Sequence, residues 1–548
     1  MEFSTLVEEF LKREKEIPNA IFLRQPFNGV WKTWTWSEAG NEIRRVANGL
    51  LSLNLPPKTS VAILSKNCAH WIMADLAIMM AGYVSVPIYP TLTAVSIKPI
   101  LGHSDSKVIF VGKLDNFDSQ KNGIPEDLIQ ISFDVYGINA NYSWKNFVLQ
   151  HEPIKEIYSW NSDEVFTIKY TSGTTGYPKG VMHSMGNIDI WEKEIIKMVK
   201  LPPNPNLFSY LPLSHIAERL AIECHSIYRG ATISFAESLE TFAKNLSDTQ
   251  PDAFFGVPRI WAKFREKIQE KLPEKKLNFL LSIPVIKNSI KKKLRKKLGL
   301  SKATHIYTGA SPISMEHLIW FDKIGIRICQ IYGMTEDCGY NHIDLPEMLR
   351  YGTVGKPFGE AEVKISGEGE IRVKSKVLMK GYYKEAELTA ATFDEEGFLK
   401  TGDIGEYDTD GYLRITGRIK DQFKTDKGKY ISPAPIELSL LANPDIEQVC
   451  VVGTGIPQPI ALACLSEAGQ KKSKEELVQS LGDTKELVNQ SLDKFEKLHR
   501  VVIMKENWTI ENGKITPTLK VKRNEVEKIH LPSYPAWFQK AEIVLWEE

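Results

Sequence analysis

A chain of 548 residues exceeds what one hydrophobic core sustains, so two or more domains are expected. With 43% apolar and 25% charged residues it has the make-up of a folded globular protein, and a net charge of +1 excludes nucleic-acid binding through bulk charge. Six scattered cysteines (Cys68, Cys224, Cys329, Cys338, Cys450, Cys464) form no CxxC pair and no metal-ligand spacing, which fits reduced thiols in a cytosolic protein.

The first residues carry an early acid and no apolar run, so no secretory signal is expected and a cytoplasmic location is. Residues 61–64, 84–88 and 108–111 read as strands, with helices predicted over 68–80 and 91–101. The apolar stretch 71–89 contains Asp75 and is interrupted by Gly82 and Pro87, so it reads as a helix and a buried strand, not a membrane span. Beyond residue 180 the pattern continues with a helix over 187–199 and strands over 208–211, 231–235 and 326–331. Such alternation predicts an α/β fold with parallel sheets covered on both faces.

From about residue 359 the texture changes. Short strands at 362–366, 369–375 and 412–416, separated by Gly and Asp turns, predict a β-rich subdomain. Residues 417–421, Gly-Arg-Ile-Lys-Asp, are polar and turn-like, which places a boundary between a large domain, 1–419, and a small α/β domain, 420–548. One segment stands apart: Ile286, Ile290, Leu294 and Leu298 recur every four residues among Lys287, Lys291, Lys292, Lys293, Arg295, Lys296 and Lys297. A basic amphipathic helix over 286–298 can rest on an anionic membrane as a peripheral contact. Four aliphatic anchors without Trp or Phe favour instead a solvated helix packed on its own domain.

The most informative segment is residues 170–180, Tyr-Thr-Ser-Gly-Thr-Thr-Gly-Tyr-Pro-Lys-Gly, directly after an apolar run. Small residues, hydroxyls and successive amides converge on anionic oxygens, and Lys179 adds a mobile charge suited to a terminal phosphate. It is not the common P-loop, because Lys179 follows Pro178 and precedes Gly180 where that motif needs Ser or Thr. The spacing resembles the loop of the adenylate-forming superfamily, which includes acyl-CoA synthetases, firefly luciferase and the adenylation domains of peptide synthetases. The resemblance implies that Thr171, Ser172, Gly173, Thr174, Thr175, Gly176 and Lys179 hold the phosphates of ATP, with Thr175 also a magnesium ligand.

Further segments carry the same resemblance. In Ile331-Tyr-Gly-Met-Thr-Glu336 it implies that Tyr332 stacks on adenine, Gly333 and Met334 form the nucleotide turn, Thr335 bonds the α-phosphate and Glu336 ligates Mg2+. It implies that Gly309, Ala310 and Ser311 flank the adenine, and that Asp403 and Arg418 hold the ribose. His215, closing Ser209-Tyr-Leu-Pro-Leu-Ser-His215, is implied as a gate between adenylate and acyl pocket. Lys420 falls at the hinge about which relatives rotate a mobile C-terminal domain, and Gly428, in Lys427-Gly428-Lys429, lies beside the route for coenzyme A. Two lysines fit the adenylating position: Lys514, after Gly513, and Lys520, in Lys520-Val-Lys-Arg523, which looks more like the long-chain enzymes and is preferred.

Residues 83–91, 256–261 and 380–383 extend the similarity towards the long-chain fatty acyl-CoA synthetases. The implied activity is ATP-dependent, AMP-forming ligation of a fatty acid to CoA, with Mg2+ and no nucleic-acid partner. The short stretch 337–357 and the less typical 453–458 leave acyl length and acceptor open. The alternatives are a fatty acyl-AMP ligase that loads a carrier-protein phosphopantetheine, and a non-catalytic nucleotide-binding scaffold.

Overall fold

The computed structural model describes residues 2–171, 178–516 and 519–548. An eight-stranded sheet forms the first layer. Its order runs Gly381–Tyr382, Lys179–Ser184, Val165–Thr171, Val84–Ile88, Ser60–Leu64, Val108–Val111, Ile129–Ser132, Tyr142–Ser143. The strands from Val165–Thr171 onward are parallel, while Lys179–Ser184 and Gly381–Tyr382 run antiparallel at one edge. Along Ser60–Leu64, Val61 and Ile63 face one core and Ala62 and Leu64 another, so both faces are covered and the strand is apolar throughout after Ser60. The helix Ala69–Met80 is buried at every position, which explains its lack of a polar face. The apolar stretch is thus a helix and a strand, and among the described residues no helix is long and apolar enough to cross a membrane.

A second sheet pairs Ala253–Phe255, His305–Thr308 and Cys329–Tyr332 in parallel, then His342–Ile343 and Lys356–Pro357 antiparallel. The strand expected at 326–331 starts later, because Ile326 and Ile328 are spent on core contacts before the ladder begins. The predicted helix over 91–101 likewise begins only at Ala94, after an extended Thr93. A third sheet holds Asn206–Ser209, Thr232–Phe235, Ile21–Phe27 and Val30–Thr35. The β-rich subdomain is an antiparallel sheet of Glu362–Ile365, Glu370–Lys374, Leu399–Tyr407 and Leu413–Arg418.

The small C-terminal domain has cores of its own on the two faces of a sheet of Ile446–Val452, Ile460–Leu465, Val501–Ile503 and Val544–Trp546. The basic segment forms the helix Pro284–Lys297. Ile290 and Leu294 on it, with Leu298 just beyond, pack on the core around Trp261 and Phe321, as the packing reading of that stripe expects.

Asp75 is fully buried inside the apolar helix and has a specific partner. Arg219, on a π-helical turn over Arg219–Cys224, pairs with Asp75 and lies 3.2 Å from Glu223, while its Nη1 donates to Thr167 Oγ1 at 2.6 Å. Ser85 Oγ also donates to Asp75. Burial, then the Asp75 charge, pushes the Glu223 carboxyl well above the usual carboxylate range. One guanidinium therefore keeps two buried acids compatible. Arg219→Met removes it and is expected to cost about 3–5 kcal/mol in urea unfolding. The deficit should be largest at neutral pH and shrink on acidification, since a carboxyl with a raised folded pKa is destabilising while charged. A loss that is equal at all pH values would contradict this account.

Candidate active site

The parallel strands His305–Thr308 and Cys329–Tyr332 end side by side, and the chain leaves each in a tight turn. A Cβ on Gly309 would lie 2.7 Å from the Ile331 carbonyl, and Ala310 takes a left-handed φ of 65°. A Cβ on Gly333 would lie 2.4 Å from Gly339 Cα, so glycine is required there. The turn is pinned by Asp337, whose Oδ1 accepts the Met334 and Gly339 N–H groups at 2.8 Å each and whose Oδ2 accepts Asn341 Nδ2 at 3.3 Å. Burial pushes this carboxyl up to about 7, against the pull of those donors.

From this turn the Tyr332 hydroxyl donates to Asp403 Oδ2 at 2.8 Å. Asp403 stands opposite Arg418 in the antiparallel ladder, and Arg418 Nε donates to Asp403 Oδ1 at 2.7 Å. Burial, followed by the Asp403 charge, raises the Tyr332 pKa, so the phenol stays a donor. Asp403 also raises the pKa of Arg418. A flat ring beside a carboxylate and a guanidinium is a donor and acceptor set that suits a base and a vicinal diol.

A second group of side chains stands at the edge of the first sheet. Lys179 opens its strand opposite Thr171, and its ammonium lies 5.1 Å from the centre of the Tyr382 ring. Tyr382, whose strand pairs with Lys179–Ser184, donates its hydroxyl to Glu336 Oε1 at 2.8 Å. The Met379 N–H holds the Glu336 carbonyl at 2.8 Å, and the Thr335 carbonyl accepts the Cys338 N–H at 3.2 Å. Ser172, Gly173, Thr174, Thr175 and Gly176 lie outside the described residues. Among the described residues no group of three or more His, Cys, Asp or Glu could hold a metal ion. A lone buried carboxylate at Glu336 fits Mg2+, which takes one or two protein carboxylates and fills its shell with phosphate oxygens and water.

His215 caps a short helix, its Nδ1 accepting the Ala217 N–H at 3.2 Å, which assigns the ring proton to Nε2. Burial, then the Lys520 and Lys169 charges, pushes its pKa down to about 3, so the imidazole is neutral. The buried Lys169 ammonium donates to the Leu213 and Ser214 carbonyls at 3.3 and 3.1 Å and so fixes the turn that presents His215.

Lys520 reaches the same place from the small domain. Its N–H donates to Thr516 Oγ1 at 3.0 Å, and its carbonyl accepts the Thr516 N–H at 2.8 Å. Its pKa is lowered, first by desolvation inside the cleft and then by Arg418, with Asp403 and Asp421 opposing. Lys514, on the same turn, acts electrostatically on Cys464 and His530, within its own domain. Lys520 is thus gathered with Arg418, Asp403 and His215, and Lys514 is directed elsewhere.

Lys420 lies in the single 3-10 turn Ile419–Asp421 directly after Arg418. Gly428, with φ 77°, closes the turn between Phe423–Lys424 and Tyr430–Ile431 by donating to the Thr425 carbonyl at 3.0 Å. An ion pair between Arg259 and Glu447 crosses between the large and small domains. Sequence reasoning assigned no role to Asp337 or Lys169 and used Tyr382 only as part of a long-chain signature. A signal for Asp337 was its place directly after Glu336.

The chain matches the AMP-binding enzyme family over residues 9–383 and the AMP-binding enzyme C-terminal domain over residues 420–531. It is 30% identical to the long-chain-fatty-acid–CoA ligase ACSBG2 of Xenopus laevis, over 93% of this chain and 80% of that protein. It is 27% identical to the long-chain-fatty-acid–CoA ligase FadD15 of Mycobacterium bovis, over 96% of each. Its fold is that of the adenylation domain of a carboxylate reductase from Mycobacterium chelonae (TM-score 0.82, 20% identity, 98% of this chain and 91% of that one). The o-succinylbenzoate CoA synthetase of Bacillus subtilis, solved with its acyl-adenylate, is similar too (TM-score 0.75, 22% identity, 96% and 99%). With the nucleotide-type turns, the paired Asp403 and Arg418 and two matching family regions in one chain, this protein belongs to the AMP-binding, adenylate-forming enzymes, near the long-chain fatty acyl-CoA synthetases.

Proposed function

We propose that this chain is an ATP-dependent acyl-CoA synthetase acting on a long-chain fatty acid. The observation that best supports the reading is the electrostatic coupling of Lys520, on the small domain, to Arg418, Asp403 and His215 of the large one. A cation held there can meet charge that develops on the α-phosphate and can later be withdrawn. The acyl preference is supported by the long-chain-fatty-acid–CoA ligases that the chain resembles along most of its length.

On this reading Tyr332 and Gly309–Ser311 hold the adenine, and Asp403 and Arg418 hold the ribose. Thr171, Ser172, Gly173, Thr174, Thr175, Gly176 and Lys179 grip the phosphates, while Thr335 and Lys520 contact the α-phosphate. Glu336, joined by Thr175, would ligate Mg2+, which neutralises charge on the departing pyrophosphate. The fatty carboxylate attacks the α-phosphorus, breaking its bond to the bridging oxygen and giving acyl-AMP and pyrophosphate. Neutral His215, its Nε2–H free of the capping bond, orients the acyl group and shields the anhydride from water. The chain then divides at residues 1–419 and 420–548. Rotation at Lys420 parts Arg259 from Glu447, withdraws Lys520 and brings the Gly428 turn to the CoA route. The thiol attacks the acyl carbon, AMP leaves, and the thioester forms.

The reading is tested by pyrophosphate release from ATP across acids from acetate to oleate. Release should depend on a long-chain acid and turn over repeatedly only with CoA. A single burst that CoA cannot turn over would point to an acyl-AMP ligase with a carrier-protein acceptor. No release with any acid would leave the scaffold alternative.

Lys520→Ala should slow acyl-AMP formation by about a hundredfold or more, while thioester formation from supplied acyl-AMP persists. Lys514→Ala should stay close to wild type in both, and the opposite pattern would reverse the assignment. Lys420→Pro restricts the backbone at the hinge and should spare acyl-AMP formation while blocking the thioester step. Equal loss of both half-reactions would remove the hinge role.

A further inference from the structure

The basic segment does more than pack. It is the second arm of a helical hairpin, Glu274–Ser282 followed by Pro284–Lys297, which stands on the core around Trp261 through Leu277, Leu281, Ile290 and Leu294. That packing consumes the apolar stripe, yet two large apolar side chains remain outside it. Phe279 is 65% exposed and Val285 is 88% exposed. Phe279 sits two residues from both Leu277 and Leu281, on the opposite side of its helix, and Val285 stands in the first turn of the next. They flank the Ser282–Pro284 turn, so the tip of the hairpin is apolar.

Beyond Glu274, which opens the first arm, the charge along the hairpin has one sign. Residues 275–302 hold ten Lys or Arg and no Asp or Glu, in a chain whose net charge is only +1, so the rest of the molecule is net negative. Lys275, Lys276, Lys287, Lys292, Lys293, Lys296 and Lys297 are all exposed. Arg295 is the exception, turned inward to the Gly325, Leu300 and Ala303 carbonyls. An RNA or an acidic peptide would satisfy the lysines, and a base would stack on Phe279, but neither gives a use for Val285, the more exposed of the two. A bilayer with anionic headgroups satisfies both, with the tip in the interface and the lysines at the phosphates.

We infer that this hairpin docks the protein on an anionic lipid surface through Phe279, Val285 and the lysines around them. The inference rests on the synthetase reading only for its purpose, since a long-chain acid is drawn from a bilayer. The docking itself stands on charge and exposure.

The test is sedimentation of the full chain with phosphatidylcholine vesicles, plain or with about one-third phosphatidylglycerol, without ATP, CoA or fatty acid. Binding is expected only to the anionic vesicles and should weaken as salt is raised. Lys287→Gln, Lys292→Gln, Lys293→Gln and Lys296→Gln together should weaken it by about a hundredfold or more. Phe279→Ser with Val285→Ser should weaken it while leaving retention on heparin unchanged, and both variants should melt like wild type. Absence of binding, equal binding to neutral vesicles, or full binding by either variant would overturn the proposal. Retention on heparin without vesicle binding would assign the patch to a polyanion instead. Since no substrate is present, each outcome is independent of whether pyrophosphate release is found.

Discussion

The carboxylate of Asp403 is the point on which the site depends. One oxygen takes the Tyr332 hydroxyl from the second sheet, the other takes Arg418 from its own antiparallel sheet, and Lys520 approaches from the small domain. Two sheets are thus joined by a single residue of short reach, with Lys520 coupled to it electrostatically. Charge-assisted bonds of this kind tolerate little displacement, so the sheets on either side are positioned as much by this carboxylate as by their cores. The Thr401 hydroxyl holds the Asp403 N–H at 3.1 Å and donates to the Ile371 carbonyl at 2.7 Å, which ties the group into the sheet.

Neutrality is arranged with equal care around it. His215 is kept uncharged by burial and by two lysines, so it adds no cation to a place already holding Arg418 and Lys520. Burial pushes the Asp337 carboxyl up to about 7, and its oxygens are spent on two backbone N–H groups and the Asn341 amide, so it serves the turn. The buried Asp75–Arg219–Glu223 group lies beneath the same region through Thr167 of a central strand. The buried Asp75 and Glu223 share one guanidinium, while Tyr332, His215 and Lys520 are desolvated where the small domain meets the large one.

What could be read without coordinates follows from what is local. Strands covered on both faces, such as Ser60–Leu64, announce themselves as unbroken apolar runs, and Asp75 inside the apolar helix correctly argued against a membrane span. The antiparallel β-rich subdomain was legible from its turns. Tyr382 was not assigned its contact, because the bond to Glu336 spans 46 residues and nothing local marks it. Local sequence already favoured Lys520 over Lys514, but its electrostatic coupling to Arg418 and Asp403 of the large domain is tertiary and could not be read from it. The basic helix was read correctly as packed on its own domain, but the exposed apolar residues beside it were not. Its stripe carried the periodicity but packs inward, while the exposed Phe279 belongs to the preceding helix.

The electrostatics of Lys520 also suggest why the small domain could leave on cue. Arg418 lowers the lysine's pKa, which means that the two cations repel across the cleft, with Asp403 and Asp421 only partly compensating. A triphosphate between them would reverse that sign and draw the domain in. Once pyrophosphate departs, much of the anionic charge goes with it, and the repulsion returns. The Arg259–Glu447 pair cannot hold the domain alone, because a partly exposed ion pair contributes about 0–1 kcal/mol. A ligand that binds one arrangement better shifts the population towards it, and its chemical conversion shifts the population back. On the proposed reaction, the loss of the pyrophosphate's charge would itself be the signal that exchanges one half-reaction for the other.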